Sequence, residues 1–273
     1  MTHTADPATG RPRERGFALL IVLWMLVLIA LLATHILANG RVETRLAANL
    51  RGSAEAEAAA DGAVFDTAFR LLQAGLPLRV ARKVLVLPLH RGTATVAIEP
   101  ESGKINPNIA EPELLAALFR TCGADIATGA ALAAAVDGWR TPGPQSATLA
   151  TQLGAAGLDY GPPGAPFETL DEIGLVPGMN ASLLACMLPH LSLYQTGDPN
   201  PAAADPVVLA ALKDLASGQQ FDASESEGNV AVSITATVVL ASGARFVRHA
   251  IIGLGPSASG FWYRVLAWDV PQV

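Results

Sequence analysis

An uncharged apolar run near the N-terminus, residues 17–38, constrains this 273-residue chain more than any other feature. As a helix rising about 1.5 Å per residue, the run would span about 33 Å, enough to cross the hydrocarbon core of a bilayer. Three arginines, Arg11, Arg13 and Arg15, precede it. Because basic residues remain on the cytoplasmic side of a membrane, we expect a single pass with a cytoplasmic N-terminus and an external C-terminal domain.

The helix predicted from this run continues beyond the membrane. Residues from Arg41 to about Gln73 are rich in alanine, leucine, glutamate and arginine, contain no proline and repeat apolar positions at helical spacing. Gly75 and Pro77 then predict its end. The outer half of such a helix needs a globular domain, or neighbouring copies of the chain, to cover its apolar face.

Short β-branched segments follow the helix and return near the end of the chain, separated by glycine-containing turns that are typical of antiparallel pairs. Between them, residues 104–193 have helical composition with Gly-Pro interruptions at 141–144 and 161–164. This order predicts an α+β fold with a helical block inserted between β segments. The predicted strands are 83–87, 93–98, 229–240, 244–254 and 261–270, and the predicted helices are 111–120, 132–139, 180–188 and 206–215.

The sequence offers little support for enzymatic, zinc or redox chemistry. It contains no H-E-x-x-H, G-x-S-x-G or Walker motif, and no C-x-x-C. We therefore expect a protein that is not an enzyme and requires no cofactor. Cys122 and Cys186 are the two cysteines. A bridge between them in an oxidising compartment and two separately buried thiols are both consistent with the sequence.

An acidic cluster precedes one predicted strand. Asp222, Glu225 and Glu227 lie within seven residues of one another, before residues 229–240. Carboxylate-rich loops suit calcium, which makes these three residues candidate calcium ligands. Their spacing is not that of an EF-hand, and a solvated loop is the more common explanation of an acidic run.

The N-terminal junction resembles a known processing signal. A short basic leader ends at Gly16, Phe17 follows, and the apolar helix begins at once. This arrangement is similar to the class III signal of type IV pilins and type II secretion pseudopilins. The resemblance implies that a prepilin peptidase cuts between Gly16 and Phe17 and methylates the new amino group. Most members have glutamate at the fifth mature position, whereas this chain has Ile21; that departure is typical of the minor pseudopilin K of the general secretion pathway.

Internal motifs extend this resemblance over nearly the whole chain. The stretch from Lys104 to Ala110 matches the K-I-N-x-N-x-A start of the family's SAM-like helical segments, and residues 167–179 match its F-x-x-L-x-E-[IL]-x-x-V-x-G-M stretch. Asp137, Trp139 and Arg140 match a D-x-W-R stretch, for which we expect a buried tryptophan with its indole N–H hydrogen-bonded.

The resemblance implies a long N-terminal helix packed on an antiparallel pilin-like sheet, with a large SAM-like, helix-hairpin-helix-like insert. We divide the chain accordingly into a leader (1–16), the transmembrane half of the helix (17–38), the external helix with the first hairpin (39–103), the insert (104–193), and a second helical segment with a three-stranded meander (194–273).

The function implied by the resemblance is that of an inner-membrane subunit at the tip of a periplasmic pseudopilus, which promotes export of folded proteins across the outer membrane. Its implied partners are other minor pseudopilins, the prepilin peptidase and the inner-membrane secretion platform. Because a K-type member binds calcium, that ion is the candidate ligand.

The alternative function is a membrane-anchored periplasmic helix-hairpin-helix protein that binds DNA. Its hairpin would be Pro177-Gly178-Met179-Asn180, which has one glycine and leads into a helix, 180–188, without lysine or arginine. Residues 104–192 carry three basic and eight acidic side chains, a net charge of −5. Phosphate binding needs cationic side chains, so we expect no nucleic-acid partner.

Overall fold

The computed structural model describes residues 14–73, 82–215, 230–255 and 263–271. The chain divides into two compact units, Met1–Glu55 and Ala56–Val273. A single helix, α1 (Glu14–Gln73), confirms the long helix predicted from the sequence. Within the first unit, Phe17–His35 is apolar and long enough to cross a membrane, with a mean hydropathy of 2.9.

Five strands form one antiparallel sheet whose spatial order, β1-β2-β3-β4-β5, is also their order in the chain. The predicted hairpin and meander are therefore confirmed. The strand β2 ends where the helical block begins, and β3 follows that block, yet the two strands are neighbours. Their bounds are β1 (Lys83–Leu89), β2 (Gly92–Pro100), β3 (Val230–Leu240), β4 (Arg245–Leu254) and β5 (Tyr263–Asp269).

One face of this sheet packs against the α1 residues of the second unit. Alternate residues of β2 and β3, such as Val96 and Ile234, point into the shared core, as a half-buried strand requires. The facing side of α1 is formed by small residues, which allow the helix backbone to approach the sheet closely. These residues are Ala56, Ala60, Ala63, Val64 and Ala68.

The helical block contains more helix than the sequence predicts. Helix α3 begins at Ile126 rather than Leu132, because the Asp125 carboxylate accepts a hydrogen bond from the Thr128 amide at 2.8 Å and caps it. A further helix, α4, follows the turn at 141–144, since Pro144 lies in its first turn, where a missing N–H has no cost. The bounds are α2 (Pro112–Thr121), α3 (Ile126–Arg140), α4 (Pro144–Ala155), α5 (Ala181–Met187) and α6 (Pro206–Leu215).

These helices surround a second hydrophobic core. Phe119, Leu132 and Ile173 are buried in it, and so are Val208 and Ala211 of α6. The helices that share this core therefore extend to Leu215, beyond residue 193, where we ended the insert from the sequence. The complete architecture is the expected α+β fold: an N-terminal helix on an antiparallel sheet, with an all-helical insertion between β2 and β3.

Candidate functional site

The residues predicted for processing lie in the first turns of α1, which begins at Glu14. Phe17 is 68% exposed and Ile21 is 48% exposed. Cleavage after Gly16 and methylation of Phe17 stay predictions, because the geometry of a helix does not report on either reaction.

The candidate calcium ligands Asp222, Glu225 and Glu227 lie outside the described residues. Within the described ranges, no group of three or more histidine, cysteine, aspartate or glutamate side chains could hold a metal ion. Calcium binding at the acidic cluster therefore stays a prediction.

Cys122 and Cys186 form a disulfide, with their Cα atoms 5.8 Å apart. Cys122 follows the last turn of α2, and Cys186 lies in α5. The bridge joins positions separated by 64 residues, so it restricts the unfolded chain and ties two helices of the insert together. Of the two arrangements left open by the sequence, the structure contains the bridge.

The asparagines of the K-I-N-x-N motif connect three segments of the insert. Asn106 donates from Nδ2 to the carbonyl of Gln195 at 2.6 Å, and its Oδ1 accepts from the Asn108 amide at 2.9 Å. Asn108 forms a reciprocal pair with the backbone of Phe167: its Oδ1 accepts from the N–H at 2.7 Å, and its Nδ2 donates to the carbonyl at 3.0 Å. These polar groups are used within the protein, so the motif is structural.

The D-x-W-R stretch is also structural, although one detail of the expectation is wrong. Arg140 pairs with Asp137 and donates to the carbonyls of Pro107 at 2.6 Å and Ala110 at 2.9 Å. Trp139 is 3% exposed, but its indole N–H has no hydrogen-bond partner within the described parts of the chain. Apolar packing and an edge-to-face contact with Tyr160 orient the ring instead.

The turn that resembles a helix-hairpin-helix serves packing within the insert. Gly178 has a φ of +88°, a backbone conformation that favours glycine. A Cβ atom there would lie 3.2 Å from the Leu132 side chain, which would have to shift by a few tenths of an ångström. Asn180 then caps α5 by accepting from the Leu183 amide at 2.9 Å. No cationic side chain is in this turn or in α5. Nothing in this geometry favours DNA binding.

An exposed apolar surface lies where α1 meets the last strand. We define the α1–β5 surface as Phe65 and Phe69 of α1 with Tyr263, Val265 and Trp268 of β5. Phe65 stacks on Trp268, with ring centroids 5.1 Å apart, and contacts Tyr263 edge to face. Phe69 is 57% exposed and Tyr263 is 44% exposed. Contiguous exposed aromatic side chains of this kind are typical of protein-interaction surfaces.

Sequence reasoning missed the ionic contact that positions α1 beside this surface. Arg248 of β4 is 5% exposed and pairs with Asp61 and Glu57, one turn apart on α1. Its guanidinium also lies 4.9 Å from the Phe246 ring centroid. Burial alone would lower the pKa of Arg248, but the two carboxylates outweigh it and raise that pKa. Arg248 alternates along β4 with the buried residues Ala250 and Ile252. That alternation is the signal that could have revealed a buried arginine, although it does not identify the partners on α1.

The fold and these contacts define a pilin-like α+β protein with a helical insert. No protein-family model matches the sequence, and no curated protein matches it. The structure is similar to a chain in the crystal structure of the GspK-GspI-GspJ complex from the type 2 secretion system of enterotoxigenic Escherichia coli. The two chains are 15% identical, with a TM-score of 0.60, and the match covers 85% of this chain and 100% of that chain. At this identity the likeness establishes a shared fold.

Proposed function

We propose that this chain is a minor pseudopilin of a type II secretion system, held in the inner membrane by its N-terminal helix with the folded domain in the periplasm. It acts as a structural subunit and not as an enzyme. The observation that carries the proposal is the shared fold with a chain of the GspK-GspI-GspJ complex over that chain's full length. The apolar span Phe17–His35 in the first unit supports a membrane anchor.

Ile21 supports a place at the tip of the filament. A bare N-terminal ammonium in a membrane helix bundle is costly unless a carboxylate approaches it. In the pilin-like family that the sequence resembles, the glutamate at the fifth mature position supplies that carboxylate to the subunit above. Growth proceeds from the membrane, so only the first subunit has nothing above it to neutralise. A chain with Ile21 at this position is suited to starting a filament and poorly suited to extending one.

The α1–β5 surface supports contact with other minor pseudopilins. Phe65, Phe69 and Tyr263 are exposed in this surface. The α1 positions Ala58 and Gly62, two turns and one turn before Phe65, are small and exposed. Small residues beside exposed aromatic rings allow a second helix to pack closely. We therefore assign this surface to contact with a neighbouring subunit. In the proposed order of events, the prepilin peptidase removes the leader and the secretion platform takes up the chain before this contact forms.

The test is assembly of the full-length protein with two other minor pseudopilins from the same organism. After co-expression and purification in detergent, we expect size-exclusion chromatography with light scattering to find one discrete heteromeric complex. Phe69→Asn should reduce its yield, whereas the control Ile126→Asn, at a position 76% exposed on α3, should not. Monomers with every partner, or filaments built by this protein alone, would contradict the tip assignment.

A further inference from the structure

A cleft of about 550 Å³ lies between the helical insert and the sheet. Its volume is within the range of pockets that bind small molecules, so it has room for a long side chain and part of the segment that carries it. The sheet contributes His249 and Ile251 of β4, which alternate with Ala250 and Ile252 of the α1-facing core. The cleft therefore opens on the face of the sheet opposite α1, away from the α1–β5 surface.

The walls of the cleft combine apolar and acidic groups. Leu188, Pro189 and Leu266 contribute aliphatic surface. Glu168, Asp171 and Asp269 are exposed at its rim. Across the described ranges of the chain, no cationic side chain forms an ion pair with any of these three carboxylates.

The interior of the cleft already balances its own charge. Glu101 is 1% exposed, and its carboxylate lies 2.7 Å from Nζ of Lys104, which is the one lysine or arginine in the described lining. Burial raises the pKa of the Tyr194 hydroxyl, and the carboxylates of Asp269 and Glu101 raise it further. Tyr194 is therefore a neutral hydrogen-bond donor, and the charge left without compensation is that of the rim.

We propose that this cleft binds a lysine or arginine side chain on a segment of an exported protein. The aliphatic walls would contact the methylene stem, and the rim carboxylates would bind the cationic head. The choice of an exported protein rests on the proposed function, in which filament neighbours occupy the opposite side of the sheet. The complementarity between the rim carboxylates and a cationic side chain does not depend on the proposed function.

The first test uses the full-length protein in detergent and two fluorescent peptides, Ser-Leu-Lys-Leu-Ser and Ser-Leu-Gln-Leu-Ser, each with a benzophenone group. Fluorescence anisotropy at low salt should give at least about fivefold tighter binding of the lysine peptide, and salt should reduce that difference. Photo-crosslinks should map to residues 168–171, 188–194 and 266–269. Equal affinities of the lysine and glutamine peptides would overturn the proposal, and so would crosslinks confined to other segments. This test uses the unaltered protein and needs no substitution.

A charge-matched pair of variants tests the rim directly. Asp171→Asn with Asp269→Asn should abolish the advantage of the lysine peptide. The control, Glu111→Gln with Glu113→Gln, removes the same charge from exposed positions beside the start of α2 and should preserve it. If both variants lose the advantage of the lysine peptide equally, that advantage comes from the net charge of the protein, and a specific site is refuted. Calcium that displaces the peptide stoichiometrically, and only with the rim intact, would instead identify a cation site and also refute it.

A competition experiment distinguishes an exported protein from a minor pseudopilin as the protein that occupies the cleft. The lysine peptide should displace an exported protein from the host but leave the assembly of the minor pseudopilins unchanged. Inhibition of that assembly would overturn the assignment to an exported protein. Failure of the chain to join minor pseudopilins would instead refute the proposed function, while the peptide measurements would still report on the cleft.

Discussion

The guanidinium of Arg248 on β4 donates a hydrogen bond from Nε to Oδ1 of Asp61 on α1, across 2.6 Å. A second bond, from Nη2 to Oε1 of Glu57, measures 2.7 Å. The arginine side chain is 7% exposed, whereas Glu57 and Asp61 are 50% and 33% exposed. One buried cation thus binds two carboxylates one helical turn apart and sets the position of α1 along the sheet within the second unit.

Replacing this arginine should weaken the packing of α1 on the sheet. We expect Arg248→Gln to lower the free energy of unfolding by about 1–3 kcal/mol, because a buried charged hydrogen-bond network is lost while the carboxylates are partly solvated. The control Arg245→Gln, at an exposed position on the same strand, should change it by less than about 0.5 kcal/mol. Urea unfolding of the full-length protein in detergent measures both, and equal effects would contradict the assigned role.

Two asparagines of the insert should respond differently to the same substitution. Asn108 uses both its oxygen and its amino group on Phe167, so Asn108→Asp removes a donor and should cost about 1–2 kcal/mol. Asn180 uses only its oxygen to cap α5, which aspartate preserves, so Asn180→Asp should be nearly neutral. Denaturant unfolding compares the pair, and a tolerated Asn108→Asp would contradict the structural role of the motif.

The disulfide should contribute substantially to the stability of the insert. Replacing both Cys122 and Cys186 by alanine should lower the free energy of unfolding by about 2–4 kcal/mol, because the unfolded chain gains the entropy of a long open loop. Reduction of the original protein should have a similar effect, and reductant should not change the double variant further. Circular dichroism during denaturation measures this. A double variant as stable as the parent would show that the bridge is dispensable.

Asp205 should make the docking of α6 sensitive to acid. Its Oδ2 lies 2.6 Å from Nδ1 of His190, and its Oδ1 accepts from the Val207 and Val208 amides. Burial alone would raise the pKa of Asp205, but these hydrogen bonds outweigh it and lower that pKa below its ordinary value. The carboxylate therefore contributes stability that is complete above the unfolded value of about 3.9 and is lost as the pH falls through the lower folded value.

The corresponding experiment compares pH profiles of stability. Asp205→Asn should cost about 1 kcal/mol at pH 7 and flatten the decline below about pH 4. The exposed control Asp198→Asn should keep the parental profile. Thermal unfolding recorded from pH 2 to pH 7 distinguishes them, and an unchanged acid decline in Asp205→Asn would disprove the prediction.

The leader should be removed in the native host. We expect mass spectrometry of the mature protein to find an N-methylated Phe17 at the terminus, because the Arg15-Gly16-Phe17 junction resembles a prepilin peptidase site. Gly16→Leu should leave the precursor uncut, whereas Thr4→Ala within the leader should be processed normally. A mature chain that still begins at Met1 would contradict cleavage after Gly16 and remove the main support for the hypothesis that the N-terminus is a pseudopilin signal.

Local periodicity predicted the elements of the fold, but not the contacts between distant residues. The alternation in residues 229–240 and the proline-free run to Gln73 determine their own secondary structure, so β3 and α1 were predicted correctly. Helix α4 was missed because Pro144 looks like a helix breaker unless its place in a first turn is known. The Arg248 contact and the unpaired indole of Trp139 depend on packing between segments far apart in sequence, which composition and spacing do not encode.

The neighbouring positions of β2 and β3 have a consequence for how this chain folds and diversifies. Because Pro100 pairs with Val232, the whole helical block leaves and re-enters the sheet at adjacent strand ends. Pairing β2 with β3 while the block is still unfolded requires closure of a long loop, which costs conformational entropy. Early folding of the block brings the two strand ends together, so a shorter effective loop must close before the strands pair. The same geometry makes the block a detachable module, since excising it would leave a plain up-and-down meander whose strand order is unchanged.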